Sequence, residues 1–415
     1  MVHRPAMDMK EDSVGARAGV QRSREAETST VSGNRDKDWV PPKDLHWYRE
    51  HRFLRWILAG ADPITVQEVL ARIAASDNPR SYEQLLDTVE GYRSGNWVYE
   101  WSQEAAKCRA EAKELEDVSH QDARDALLRA SLYYTIASYP HLRDDHLALE
   151  ARVKANQTYR SAGRWFACPL RILEVPYKGH KIIGSLHLPH DDFPPPVVMV
   201  CGGGDVLQSG FFHLFDKVLR PAGFAMLTVD MPGVGHSERW PINEDVSRLH
   251  QEVLEYLPNC PWVDDKRVAM IGMRMGGNIA TRLGYLRPNL LRAVVNIGGP
   301  LHQVFVNGDF TSKISPMLKD QIASRLYSDA TEMKNFAVKA QTFSLVRQGI
   351  LSRRSRIPML AVGMEGDEQF PESDIKLMVH ASPNGERIRV ERADMIHSME
   401  NAFSQSVDWL KAHMK

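Results

Sequence analysis

The chain of 415 residues carries 52 lysines and arginines against 53 aspartates and glutamates, with 43% hydrophobic and 25% charged residues. That composition belongs to a soluble globular protein of two or three domains, or one large domain with an attachment. A formal charge of −1 gives no global field that would draw in nucleic acid or an anionic membrane.

The four cysteines, Cys108, Cys168, Cys201 and Cys260, form no CxxC pair and no zinc-ligand spacing. They point to a reduced, cytoplasmic compartment. Residues 1–36 mix charged and hydroxyl side chains with no apolar run, so they are expected to be a disordered tail and not a signal peptide. No apolar stretch reaches the roughly 20 residues needed to cross a bilayer.

Residues 37–167 read as a helical domain. Asp62-Pro63 has the form of a helix start, with Asp as cap and Pro in the first turn. Val66, Val69, Leu70 and Ile73 then follow the spacing of a buried helix face. Ser81 with Gln84 predicts a capping box and a second helix after it. Trp97, Tyr99 and Trp101 are expected as packing anchors, and "RDALLRASLYYTIASYPHL" predicts a further helix.

The pattern changes at residue 168. "PLRILEVPYKGHKIIGSLHLP" predicts two strands around a Lys178-Gly179 turn. "VVMV", "AMLTVD", "RVAMIG", "RAVVNIG", "PMLAVG" and "RIRVER" are short apolar or β-branched runs separated by segments of helical pattern. Such alternation predicts a mostly parallel sheet with helices on both faces over residues 168–415, with ligands at the carboxyl ends of the strands. Residues 301–355 interrupt the alternation and are expected to form a helical lid. Arg353, Arg354 and Arg356 there read as a solvated helix end.

Three loops carry the chemistry. After "VVMV" comes Gly202-Gly203-Gly204, whose successive N–H groups can converge on an anion and supply half of an oxyanion hole. Residues 229–237, "VDMPGVGHS", mark an α/β-hydrolase fold, with Asp230, His236 and Ser237 shaping the loop. "RVAMIGMRMGGNIATRLGY" has the strand–turn–helix layout of a nucleophile elbow. The residue at its tip is Arg274, a permanent cation that cannot serve as a nucleophile.

Asp367, after a later strand, stands where this fold carries its triad acid. His397, ahead of the last helix, stands where it carries the general base. A turn or cap is the competing role for Asp367. A partly exposed surface site is the competing role for His397. No dinucleotide fingerprint and no histidine–carboxylate cluster is present, so no cofactor and no metal are expected.

"HWYREHRFLRWILAGADPITVQEVLARIA", "GYRSGNWVYEW", "YPHL", "LTVDMPGVGHS", "DVSRLHQEVL" and "GMRMGGNIATRLGYL" together resemble the fermentation–respiration switch proteins, the FrsA-like esterases. The resemblance implies a helical N-terminal region before an α/β-hydrolase domain, a carboxylesterase classification and a cytoplasmic location. It also implies binding to the glucose-specific IIA component of the sugar phosphotransferase system.

Two functions follow as expectations. In the first, a hydrolase cleaves small anionic esters. His397 and Asp367 activate water, Gly202–Gly204 and the Met275 N–H hold the oxyanion, and Arg274 binds a substrate carboxylate. In the second, Arg274 closes an inactive site by pairing internally, and the protein works by binding the IIA component or a small carboxylate.

Overall fold

The computed structural model describes residues 44–308, 314–328, 336–392 and 395–415; the expected tail, residues 1–36, lies outside them. Eight strands form one sheet in the order β1-β2-β4-β3-β5-β6-β7-β8. They are β1 (Arg171–Tyr177), β2 (His180–His187), β3 (Pro196–Cys201), β4 (Ala225–Val229), β5 (Asp264–Met273), β6 (Ala293–Ile297), β7 (Met359–Met364) and β8 (Glu386–Val390). β1 and β2 form an antiparallel hairpin, β2 pairs antiparallel with β4, and all other pairings are parallel.

The continuous apolar runs are explained by burial on both faces. In β3, Val197 and Met199 enter one core while Val198 and Val200 enter the other. In β5, Val268 and Met270 alternate in the same way with Ala269 and Ile271. A two-residue side-chain period therefore leaves no position for a polar residue in Val197–Val200 or Val268–Ile271.

The N-terminal region supplies α1 (Phe53–Leu58), α2 (Pro63–Ala74), α3 (Trp97–Leu115), α4 (His120–Ala137) and α5 (His146–Ala162). Asp62 caps α2 by accepting from the Thr65 N–H at 2.7 Å. Val66, Val69, Leu70 and Ile73 are buried. Trp56, Trp97 and Trp101 pack with ring centroids 5.8–6.2 Å apart, while Tyr99 lies edge-on to Tyr92 at the margin.

The helix expected after Ser81 does not form. Residues 79–95 are irregular, with isolated bridges Arg80↔Val89 and His46↔Leu85. The Ser81 hydroxyl turns to the Thr88 carbonyl, and the Arg80 guanidinium satisfies the carbonyls of Ala74, Ser76 and Leu86. Tertiary hydrogen bonding thus replaces the local cap, and the next helix starts only at Trp97, capped by Asn96.

The described parts of 301–355 do not stand apart from the N-terminal region. Their longest helix here is α6 (Pro316–Leu326). Met317 on it joins the aromatic core, and Asp320 accepts a bond from the Tyr48 hydroxyl at 2.6 Å. Arg353, Arg354 and Arg356 are exposed, just before the amino end of β7, on the side of the sheet away from the catalytic loops.

Beneath the aromatic core lies a buried ion pair, Arg49 Nη1 to Asp87 Oδ2 at 2.9 Å, with both side chains fully enclosed. Asp87 also accepts from the backbone N–H groups of Tyr48 and Arg49. Asp87→Ala would strand a buried guanidinium and is expected to cost about 3–5 kcal/mol. A drop of that size in urea-unfolding free energy checks this.

Candidate active site

The turn after β5 is held by close backbone packing. A Cβ on Gly272 would lie 2.1 Å from the Gly276 carbonyl oxygen, and one on Gly276 would lie 2.3 Å from the Cys201 carbonyl oxygen. Between them Arg274 adopts φ 52°, ψ −125°, a conformation costly for any residue with a Cβ. It persists because the Arg274 N–H donates to Ile297 and the Arg274 carbonyl accepts from Gly277. The helix that follows is α7 (Met275–Leu286). As its first residue, Met275 has an N–H with no acceptor inside the helix.

The side chain at this tip is pinned from one end. Arg274 Nη1 donates to Asp367 Oδ2 at 2.5 Å and to the Gly298 carbonyl at 3.4 Å. Asp367 follows β7, is nearly enclosed, and also accepts from the Gln369 N–H at 3.0 Å. Arg274 itself is 40% exposed and lines the principal cavity. Its Nε and Nη2 have no protein partner among the described residues, and neither is sealed from solvent. One edge of the guanidinium is therefore fixed and the other is open.

The glycine loop abuts this tip. A Cβ on Gly203 would come within 3.3 Å of the Arg274 Cβ, and both Gly203 and Gly204 line the cavity. Asp205 closes the loop. It accepts from Arg52 Nε at 3.1 Å and pairs with Arg55 Nη1 at 2.8 Å, so α1 is tied to the loop. Burial alone would raise the Asp205 pKa, but Arg55 and Arg52 outweigh it and hold the carboxyl far below its ordinary 3.8.

A second cation grips the loop from the other side. Arg325, on α6, is 3% exposed. Its Nε and Nη2 both donate to the Gly204 carbonyl, Nη2 also to Pro140, and Nη1 to His141. Burial lowers its pKa to about 10, which still leaves it charged at neutral pH.

The cavity has a volume of about 1460 Å³ and is shared by α1, α6, the elbow and the last helix, α9. That last helix, α9, spans Met395–His413, and α8 before it spans Glu372–Ala381. The walls are mainly apolar, with Phe305, Phe343, Met364 and Phe403 among them.

Asp367 meets Arg274 as the chain order suggests, but His397 does not complete a triad. Ile396, Met399, Glu400, Asn401, Phe403 and Ser404 are among the residues of α9 that line the cavity. His397 is exposed and is not among the residues that line the cavity. No hydrogen bond joins it to Asp367, whose oxygens serve Arg274 and Gln369. Asp230 shapes its own loop by accepting from the N–H groups of Gln208 and His236. Ser237 is buried within that turn.

Asp205, Arg52, Arg55, Arg325 and His141 are site residues that the sequence did not single out. The first four join segments far apart in the chain, so no local spacing announces them. Among the described residues no group of three or more His, Cys, Asp or Glu side chains could hold a metal ion. No helix among them is long and apolar enough to cross a membrane.

Both the sequence and the fold of this chain are matched by known proteins. The profile described as Esterase FrsA-like covers residues 4–415. The chain belongs to the FrsA-like esterase family. It is 41% identical over 366 residues to a Vibrio cholerae protein named Esterase FrsA, covering 88% of each chain. It is 38% identical over 367 residues to the protein of that name from Photobacterium profundum, again covering 88% of each. The fold is also that of 2,6-dihydroxy-pseudo-oxynicotine hydrolase, with TM-score 0.70, 19% identity, and 88% of this chain and 96% of that one covered. A wild-type AbyA5 structure matches with TM-score 0.62 and 18% identity over 85% of this chain and 99% of that chain. The family supports an esterase-type hydrolase, and the two solved structures match this chain in fold.

The loop clamp yields a pH prediction. Because the folded carboxyl of Asp205 lies below its unfolded value of 3.8, its stabilising contribution is complete above that value. It drains away as pH falls below it towards the folded pKa. Asp205→Asn is expected to lower the thermal midpoint at pH 7 and to shrink the wild type's loss of stability below about pH 4. Thermal scans from pH 7 to pH 2 measure both.

Proposed function

We propose that this FrsA-like protein hydrolyses small anionic esters, with Arg274 as the receptor for a substrate carboxylate. The observation that supports this is the half-used guanidinium. Nη1 is anchored on Asp367, while the Nε–Nη2 edge presents two parallel donors to the cavity. That edge matches the two oxygens of a carboxylate. With an arginine at the elbow no acyl-enzyme can form there, so water must attack the ester carbonyl directly. The N–H groups of the Gly202–Gly204 loop and of Met275 stand beside the elbow, as donors for the developing oxyanion.

Proton transfer in this reading falls to a group on the cavity wall. His397 is not among the residues lining the cavity, and both Asp367 oxygens serve other partners, Arg274 and Gln369. A second reading draws on the same ion pair. The closed Arg274–Asp367 contact suits a protein that binds a small carboxylate, or the glucose-specific IIA component, without turnover.

Monomethyl succinate and methyl butyrate separate these readings, since they differ mainly by one carboxylate. The wild type is expected to prefer the anionic ester. Arg274→Gln should lower its kcat/KM for that ester by about 10- to 100-fold, the worth of one charge-assisted hydrogen bond, with little change for the neutral ester. His397→Ala is expected to keep the wild-type rate within about twofold, as for a surface substitution. Equal cleavage of both esters by the wild type would reject the carboxylate receptor. Turnover seen only in Arg274→Ser would favour the non-hydrolytic reading.

A further inference from the structure

His141 is a buried imidazole on the cavity wall, 2% exposed. It lies in the link between α4 and α5, with its backbone in the left-handed region at φ 63°. Only neighbours that fix the residue can hold a side chain with a Cβ there. Those neighbours are on the page: its N–H donates to Ser138 at 2.7 Å, and its carbonyl accepts from Arg325 Nη1 at 2.7 Å. Arg325 holds the Gly204 carbonyl with the same guanidinium. The His141 backbone and the oxyanion loop thus sit within the span of one planar group.

The hydrogen bonds also fix which ring nitrogen carries the proton. The Ser138 hydroxyl donates to the Thr135 carbonyl at 2.9 Å, and a carbonyl can only accept. A hydroxyl has one proton to give. In its other contact, with His141 Nδ1 at 2.8 Å, Ser138 must therefore accept. Nδ1 carries the hydrogen, and Nε2 carries the lone pair. Nε2 has no protein partner among the described residues and is not sealed from solvent.

The geometry points to His141 as the general base of this site, its Nε2 taking a proton from the water that attacks a bound anionic ester. This assignment rests on the hydrolytic reading above. In the step, the water O–H bond breaks and its proton passes to Nε2 as the oxygen bonds to the ester carbon. When the tetrahedral intermediate collapses, the ester C–O bond breaks and the proton on Nε2 passes to the departing alkoxide. An ester and a water become a carboxylic acid and an alcohol, with no other reactant. Ser138 and Arg325 are positioning residues: one selects the tautomer, the other fixes the distance to the loop.

The groups facing the ring are Arg325 on α6, Arg152 on α5, Arg55 on α1 and Asp205 on the oxyanion loop. Burial first, then the three arginines, hold the His141 pKa well below 6.5, with Asp205 opposing. The imidazole is therefore neutral at pH 7, and the acid limb of kcat/KM should lie below the ordinary histidine value.

The test uses the full chain, monomethyl succinate as substrate and succinate as an unreactive probe. Asn tolerates a left-handed backbone, so His141→Asn preserves the turn. It is expected to lower kcat by about 100-fold or more, the usual worth of a general base. The succinate-induced thermal shift should stay at the wild-type value. Ser138→Ala should lower kcat by a smaller factor and leave KM unchanged. Nitrogen-15 spectra of the histidine-labelled wild type should show His141 as the neutral Nδ1–H form at pH 7.

Wild-type kcat in His141→Asn would overturn the assignment while leaving the carboxylate receptor intact. An Nε2–H tautomer would overturn it independently of any rate. Absence of ester turnover in the wild type would instead overturn the hydrolytic reading, and the catalytic role of His141 with it.

Discussion

A permanent cation at the sharpest turn of the molecule is the constraint to which the rest of the site is fitted. The turn is sharp because Gly272 and Gly276 let backbones meet where any Cβ would collide. The residue at its tip must therefore point into the cavity, whatever its chemistry. With arginine there, a guanidinium is forced into a largely apolar chamber and needs a counter-charge. Asp367 supplies it. In a hydrolase triad the carboxylate at this place orients a histidine; here its Oδ2 is committed to Arg274, and an imidazole would have to displace a short charge-assisted bond to use it. An arginine at the elbow and an Asp367 whose carboxylate is taken up by it follow from the same requirement for charge balance.

The N-terminal helices belong to the site and do not merely sit beside it. Asp205 ends the glycine loop and is held by two arginines of the first helical segment. Arg325 reaches the same loop from the insertion while bonding the carbonyls of Pro140 and His141. Met317, a few residues earlier, is buried in the aromatic core around Trp97. A loosening of any one of these three regions would leave a buried charge or carbonyl without its partner, which costs more than the bond itself contributed. The loop that faces the elbow is thus rigid because three distant stretches of chain agree on its position.

The architecture was legible because it follows from local pattern. "VVMV" and "RVAMIG" read as strands because a sheet covered on both faces demands apolar residues at every position, and they form β3 and β5. The elbow was legible at Arg274 because its glycines are a backbone requirement. Ser81 and Gln84 misled because a capping box is a local preference, and Arg80 offered the nearby carbonyls a stronger tertiary partner. His397 misled in another way. Chain order places a histidine near the start of the last helix, but order along the chain does not fix whether its ring reaches the acid, and here the acid's oxygens are taken by Arg274 and Gln369. Asp205 and Arg325 carry no signal in sequence, since each is defined by partners many residues away; His141 has a local partner in Ser138, but its place on the cavity wall depends on Arg325, distant in the chain.

How an imidazole is oriented sets how strongly it can act. A histidine held by a carboxylate gains basicity, because the imidazolium that forms on proton transfer is stabilised by the negative charge. A histidine held by a serine hydroxyl gains the tautomer without that stabilisation, and at His141 three arginines oppose the positive form further. The same cations favour an anionic substrate and a developing oxyanion. A site built this way trades strength of the base for attraction to negative charge. It should turn over slowly and select by charge more than by shape, because the carboxylates beside the elbow, Asp367 and Asp205, are already committed to holding arginines.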